Sequence, residues 1–133
     1  MPGVPFFMVY NIHFQLAARA AIRSDSKFRL GAVLARRTRA ISIGWNDMGK
    51  THPVMNKFSE NKPWSPGIHA EIDACLGVNR DDLDGAQIYV VRLKRDGSLG
   101  MARPCGVCAR ILKDMRIEIA YFSTGQGFGE YTL

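Results

Sequence analysis

No apolar run in this sequence approaches the roughly 20 residues that a membrane-spanning helix requires. The apolar opening at residues 4–10 lacks the basic leader and the small-residue cleavage site of a secretory signal peptide. No internal repeat, linker or low-complexity segment interrupts the 133 residues. The sequence therefore predicts one domain over residues 1–133, with no membrane contact.

Cysteine and acidic residues are both scarce. The three cysteines are an odd number, and two of them stand at CxxC spacing, which favours a metal site in a reducing compartment over a disulfide framework. We therefore expect a cytoplasmic protein. Asp and Glu number 12 against 18 Lys and Arg, for a net charge of +6. This excess favours phosphorylated small molecules or nucleic acid as partners, although a merely solvated basic surface explains it equally well.

Two short stretches carry residues suited to metal chemistry. His69 and Glu71 stand two positions apart, and Cys105 and Cys108 stand at i and i+3 behind a proline. One imidazole and two thiolates bind zinc and leave the fourth tetrahedral position open for water. Zinc lowers the pKa of bound water to about 7. Glu71 is then predicted to move the water proton to the substrate, as general base and then general acid.

Two simpler readings of these residues compete with a catalytic site. Cys75 could complete a closed, structural zinc site with the other three ligands. Residues six apart on a helix lie about 120° apart around its axis, which turns Cys75 away from His69 and into the core. Alternatively, the CxxC is a redox pair and His69 an ordinary core histidine. The joint occurrence of both motifs, each at a helix start, favours the catalytic reading.

Hydrophobic periodicity predicts the element order α-β-β-α-β-α-β. Predicted helices cover residues 11–24, 69–76 and 105–115, and predicted strands cover 30–35, 40–45, 86–93 and 117–122, with a short strand near 129–133. Both metal stretches open a helix after a loop, so their helix starts should converge on one side of the sheet. The polar loop at 46–67 leads directly into His69, and we predict that it forms a wall facing the substrate.

These features resemble those of the cytidine deaminase-like superfamily of zinc-dependent nucleobase deaminases. Its signature is H-x-E followed by P-C-x-x-C, and Gly44-Trp45-Asn46 is similar to a Gly-aromatic-Asn segment of its deoxycytidylate and tRNA-adenosine branches. The resemblance covers roughly residues 11 to 123. It implies an α/β/α sandwich, three layers around a mixed sheet of about five strands, with Zn²⁺ as cofactor and a homo-oligomeric assembly.

The resemblance also implies contacts with the substrate. Asn46 should contact the nucleotide sugar, and the backbone N–H of Ala70 should help to hold the base. His52 and Trp64, both in the long loop, are further candidate substrate contacts.

Within the superfamily the sequence is most like the deoxycytidylate deaminases. We therefore expect hydrolytic deamination of a free cytosine nucleotide or nucleoside, dCMP to dUMP, with Lys50, Lys57 or Lys62 near a phosphate.

The alternative is a nucleic-acid base deaminase, in which Phe58, Trp64 or Phe128 stacks on bases taken from the strand. A third reading is a non-catalytic, zinc-stabilised binding module in which Glu71 is idle.

Overall fold

The computed structural model describes residues 11–50, 52–56 and 67–133. The helices of these residues are α1 (Ile12–Ile22), α2 (Ala70–Cys75), α3 (Arg80–Leu83) and α4 (Gly106–Asp114), with a 3-10 turn at Pro53–Asn56. The strands are β1 (Arg29–Arg36), β2 (Arg39–Trp45), β3 (Gln87–Leu93), β4 (Leu99–Gly100), β5 (Ile119–Thr124) and β6 (Gly127–Thr132). No helix within the described ranges has the length and apolar character needed to cross a membrane.

The strands form one mixed sheet in the order β2-β1-β3-β5-β6, with β4 added at the end of β3. Neighbouring strands are antiparallel except for β3 and β5, which run parallel in register Tyr89↔Tyr121. A parallel pair requires a crossover connection. Here β4 and α4 supply that connection, and the second half of the predicted metal site lies at the start of α4.

Alternating side chains of β1 divide the core into two layers, one on each face of the sheet. Ala32 and Leu34 face the cluster that contains α2 and α4, whereas Val33 and Ala35 face the cluster beneath α1. Helices thus cover both faces, and the predicted three-layer α/β/α architecture is confirmed.

Small residues let α1 lie directly on the sheet. Asn11 caps the helix, because its Oδ1 accepts hydrogen bonds from the backbone N–H groups of His13 (3.0 Å) and Phe14 (3.3 Å). A Cβ atom at Gly31 would overlap the backbone of Ala17 and Ala21. The alanine-rich face of α1 and the bare backbone of β1 are therefore matched to each other.

The last strand is longer than predicted. β6 pairs with β5 over six residues, from Ile119↔Thr132 to Thr124↔Gly127, instead of forming a stub. The glycines obscured this strand because glycine weakens a strand interior. Gly129 has a packing role, since a Cβ there would lie 2.8 Å from Cζ of Phe122. The structure also adds the short α3 and β4, which are not among the predicted elements.

Ser123 joins three strands at the crossover. Its side chain is fully buried, and its hydroxyl donates to the carbonyl of Gly100 (2.7 Å) and accepts from the N–H of Arg92 (3.0 Å). Its own carbonyl accepts from the N–H of Ala102 (2.9 Å). The segment that leads from β4 to the CxxC motif is therefore fixed to the centre of the sheet.

Candidate active site

The start of α2 is held by a closed loop. An isolated bridge joins Asp47 and Ile68, with N–H···O distances of 3.1 Å in both directions. Gly67 precedes it with φ +81°, and a Cβ there would lie 2.5 Å from the carbonyl oxygen of Asp47, so the position requires glycine. His69 follows in an extended conformation as the N-cap of α2. This non-helical backbone brings His69 and Glu71 to one site, although positions i and i+2 diverge on a regular helix.

The start of α4 carries the two cysteines. Cys105 is the N-cap, and its Sγ accepts a hydrogen bond from the N–H of Cys108 at 3.4 Å. The helix N-terminus favours a thiolate at this position. Cys105 is exposed toward the cavity side, whereas Cys108 is buried.

His69, Cys105 and Cys108 form a group that could hold a metal ion. Their ligand atoms all lie within 4.8 Å of one another. Nδ1 of His69 lies 3.1 Å from Sγ of Cys108 and 3.8 Å from Sγ of Cys105. One imidazole nitrogen and two sulfurs form a donor set that suits Zn²⁺. Zinc therefore fits the residues present.

Electrostatics within this group favour one thiolate. A hydrogen bond from the Cys108 thiol lowers the pKa of Cys105 to about 4. Burial of Cys105 opposes this effect, and His69 supports it. The same hydrogen bond, together with burial, raises the pKa of Cys108. Burial disfavours the imidazolium of His69, but the hydrogen bond to Cys105 and the charge of Glu71 outweigh it and raise the pKa of His69.

Glu71 lies beside the metal-binding group. Its side chain is buried, at 3% exposure, and its Oε1 is 3.9 Å from Nδ1 of His69. Burial raises the pKa of this carboxyl, and the neighbouring imidazole only partly opposes the effect. A buried carboxyl whose pKa is raised in this way is suited to taking and giving protons during a reaction.

A cavity of about 320 Å³ opens over these residues. Its described lining combines the polar groups with an apolar wall and comprises Phe28, Leu30, Asn46, Met48, Ile68, His69, Ala70, Glu71, Arg103 and Cys105. Cavities of this size and character bind small molecules.

Asn46 and Ala70, both predicted to contact substrate, line this cavity. The Asn46 side chain also holds one wall. Its Oδ1 accepts from the N–H of Leu30 (2.9 Å), and its Nδ2 donates to the carbonyl of Phe28 (2.6 Å). The first N–H groups of a helix have no intrahelical partner, so the N–H of Ala70, at the start of α2, can serve as a donor toward the cavity.

Other predicted contacts lie elsewhere. His52 is exposed, its Nδ1 accepts from the N–H of Val54 (3.1 Å), and it is not among the described residues that line the cavity. Its role with substrate stays a prediction. Trp64, Phe58, Lys57 and Lys62 lie outside the described residues.

The positions of three further residues bear on the roles predicted for them. Lys50 pairs with Asp73, with Nζ 2.9 Å from Oδ1, and its contact with a phosphate stays a prediction. The ring centroids of Phe128 and Phe14 lie 4.1 Å apart in the layer beneath α1, on the opposite face of the sheet from the cavity. Phe128 therefore cannot stack on a base in the cavity. Cys75 is buried in the core and takes no part in the metal-binding group, as helical geometry predicts.

The sequence gives little sign of Phe28, Met48 and Arg103 as cavity residues. None of them belongs to a zinc motif. Only Arg103 had a usable signal, because it directly precedes Pro104-Cys105 and must lie near the metal-binding group. Its guanidinium lies 4.5 Å from the ring centroid of Tyr131, on β6.

Comparison with known proteins agrees with this geometry. The model of the family described as "Cytidine and deoxycytidylate deaminase zinc-binding region" matches residues 9–124. The chain belongs to this family. It is therefore an enzyme of the deaminase class of hydrolases, and zinc is the metal of its domain.

One relative and two solved structures show what this chain is similar to. A deoxycytidylate deaminase of Mycobacterium phage D29 is 27% identical over 118 residues, covering 77% of this chain and 84% of the phage protein. A cytidine deaminase from Burkholderia pseudomallei has the same fold, with a TM-score of 0.62, 19% identity and coverage of 92% and 91%. RibD of Acinetobacter baumannii matches with a TM-score of 0.54 and 18% identity over 86% of this chain, which spans only 27% of RibD.

Proposed function

We propose that this protein is a zinc-dependent deaminase of a free cytosine nucleotide, most like a deoxycytidylate deaminase that converts dCMP to dUMP. One observation carries the proposal: the buried carboxyl of Glu71 lies 3.9 Å from Nδ1 of His69 at the base of the cavity. The phage relative, a deoxycytidylate deaminase, supports the choice of nucleotide.

The chain's own residues have separate tasks in this reaction. His69, Cys105 and Cys108 would hold the zinc ion. Bound zinc supplies Lewis acidity and lowers the pKa of water to about 7.

Glu71 manages the protons. Its carboxylate would take one proton from the attacking water and give it to the ring nitrogen. It would then take the second proton, from the hydroxyl group now bonded to the ring carbon, and give it to the amino group, which leaves as ammonia while the carbonyl forms. Ile68 and Leu30 give the cavity an apolar wall, which strengthens the electrostatic interactions within it.

The size of the cavity favours a mononucleotide or nucleoside over a nucleic-acid strand. About 320 Å³ lies at the lower end of the range of small-molecule sites. Of the three aromatic residues considered for stacking on a strand, Phe128 lies on the other face of the sheet. Among the described lining residues, Phe28 is an exposed aromatic residue, at 51% exposure.

The decisive experiment measures ammonia release by the zinc-loaded protein and its Glu71→Gln variant. Substrates are deoxycytidine, dCMP, CMP, dAMP, a single-stranded oligonucleotide and tRNA. We expect turnover of dCMP and a loss of about 10² to 10⁴ in kcat for the variant, with zinc content unchanged because glutamate is not a ligand. Unchanged turnover in the variant would refute the role of Glu71, and activity on the strands alone would refute the substrate.

We also propose a homo-oligomeric, cytoplasmic enzyme. The three cysteines are free, which suits a reducing compartment. Ile12 and Ile22 are large apolar side chains of α1 that are more than half exposed in the single chain, at 52% and 60%. Such exposure is expected of a surface that another subunit covers. Light scattering after size-exclusion chromatography tests the assembly, and a monomer at micromolar concentration would contradict it.

A further inference from the structure

A second concavity, of about 190 Å³, lies beside the catalytic cavity. Five of its seven described lining residues are cationic, namely Lys27, Arg29, Arg92, Lys94 and Arg95, and none of the seven is acidic. We call this set the cationic pocket. The other two lining residues are Phe28 and Leu93, and Phe28 also lines the catalytic cavity.

The sheet places Arg92 between the two cavities. Arg92 of β3 is the register partner of Leu30 of β1, so both side chains project from the same face. Leu30 lines the catalytic cavity. The Arg92 guanidinium lies 4.5 Å from the ring centroid of Phe28, and Nζ of Lys27 lies 5.6 Å from the same ring. Phe28 is thus the partition between the apolar catalytic cavity and the cationic pocket.

The Arg92 side chain is held in position by its own sheet. Gly100 of β4 is its register partner on the other side. A Cβ at Gly100 would lie 2.9 Å from Cδ of Arg92, so the side chain fills the space that glycine leaves. Its backbone N–H is bound to Ser123. Arg92 is therefore ordered in advance of ligand binding, which lowers the entropic cost of using it.

The charges of the cationic pocket are compensated only in part, by Asp96, whose charge interacts with that of Lys94. Elsewhere on the described surface, Arg39, Lys50 and Arg116 each lie within 3.8 Å of a carboxylate. In the pocket, Arg29 donates from Nη2 to the backbone carbonyl of Lys94 (3.0 Å), and its buried Nε has no partner among the described residues. Like charges gathered in one concavity repel each other unless an anion joins them.

We propose that the cationic pocket binds the phosphate of the nucleotide substrate while the base occupies the catalytic cavity. This inference rests on the proposed function and adds the phosphate to its specificity. It assigns the phosphate to residues from β1, β3 and the segments beside them. Arg and Lys together suit a phosphate, because Arg offers a planar pair of donors and Lys a mobile point charge. The pocket favours the phosphate of a free nucleotide over an extended strand because it is small and adjoins a single base-sized cavity.

The test compares kinetics on dCMP and deoxycytidine in zinc-loaded enzyme. Arg92→Gln and Lys94→Gln should each raise KM for dCMP about tenfold, the cost of a lost charge-assisted hydrogen bond. KM for deoxycytidine should not change, and kcat should stay within about twofold for both substrates. Lys113→Gln is the matched control: it removes one positive charge from the exposed last turn of α4 and should leave all constants unchanged.

A second variant tests the position of Arg92 without removing a charge. Gly100→Ala displaces the Arg92 side chain and should raise KM for dCMP but not for deoxycytidine. Equal effects of these substitutions on both substrates would overturn the inference. A change confined to an oligonucleotide substrate would also overturn it, in favour of strand binding.

Calorimetric titration with dUMP and with inorganic phosphate separates this inference from the proposed function. We expect binding of both by the wild type and loss of about tenfold in affinity in Arg92→Gln. If the enzyme deaminates no cytosine compound but still binds dUMP through Arg92, the proposed function fails and the phosphate site stands. If it deaminates deoxycytidine and dCMP equally well and binds no phosphate, the function stands and the phosphate site fails.

Discussion

Nδ1 of His69 lies 3.1 Å from Sγ of Cys108, although 39 positions separate them in the sequence. The two residues belong to helices that begin on the same side of the sheet, one after β2 and the other after β4. Neither motif is a metal site alone. The order of the strands brings the two motifs together. The bridge between Asp47 and Ile68 fixes the segment before His69, and the hydrogen bond from Ser123 to Gly100 fixes the segment before the cysteines.

Cys108→Ala should abolish stoichiometric zinc binding, because it removes a buried sulfur from the ligand set. We expect less than 0.2 zinc per chain by elemental analysis, as an order-of-magnitude estimate, together with a lower Tm. Cys75→Ala is the control, since Cys75 is buried in the core apart from the ligands. It should keep about one zinc per chain and lose only about 1 kcal/mol of stability. Loss of zinc in Cys75→Ala would show that the site is closed by four ligands.

Cys75 should be inert to thiol reagents in the folded protein. Burial, with a smaller effect from the charge of Glu71, raises the pKa of this thiol to about 12. At pH 8 almost none of it is thiolate, and the thiolate is the reactive form. Mass spectrometry after iodoacetamide treatment of the zinc-loaded protein should find Cys75 unmodified until denaturant is added. Rapid native modification would mean that this part of the core opens readily.

Gly44→Ala should damage the active site, because the backbone of α2 lies directly on Gly44. A Cβ there would overlap the N atom of Ala74 and lie 2.8 Å from the carbonyl oxygen of Ala70. The helix must move, and His69 and Glu71 move with it. We expect a loss of about 1 to 3 kcal/mol in the free energy of unfolding and at least tenfold weaker zinc binding, measured by chelator competition. Gly31→Ala, which displaces α1 on the other face, should cost similar stability but keep zinc affinity. Equal loss of zinc in both would indicate general unfolding instead.

Asp73→Ala should cost more stability than Lys50→Ala. Asp73 accepts from the backbone N–H of Trp45 (3.2 Å) as well as from Nζ of Lys50 (2.9 Å), and its side chain is only 14% exposed. Losing the backbone bond and the ion pair should cost about 1 to 3 kcal/mol. Lys50 is 56% exposed, so its removal should cost at most about 1 kcal/mol. Urea unfolding of both variants measures the difference, and equal costs would assign the whole effect to the ion pair.

Most of the fold could be predicted from periodicity, because long regular segments carry a repeated signal. β3 has a nearly continuous apolar run, and α1 has a capped, alanine-rich face; both lie within two residues of their predicted bounds. The full length of β6 could not be predicted from the sequence. The strand is stabilised by pairing with β5 and by the packing of Phe122 against Gly129, and neither interaction is local in sequence.

The proximity of the candidate metal ligands and Glu71 could be predicted, because the chemistry of such a site requires particular residue types and spacing. The cationic pocket could not. Lys27 and Arg29 precede or open β1, whereas Arg92 and Lys94 lie at the end of β3, more than sixty positions later. In the sequence they are ordinary surface charges. Only the β1–β3 register, with Leu30 opposite Arg92, brings them together.

The hydroxyl of Ser123 connects the strand that carries part of the cationic pocket with the segment that precedes the metal-binding cysteines. The strand that carries Arg92 and the segment that leads to Cys105 are both bonded to this one side chain. A descendant that acquires a new substrate can exchange Lys94 without moving the metal-binding group, because that side chain is exposed. An exchange at Ser123 would disturb the strand that carries Arg92 and the segment that leads to Cys105 in the same step. A new specificity should therefore evolve by exchange of exposed pocket residues such as Lys94, while Ser123 stays unchanged.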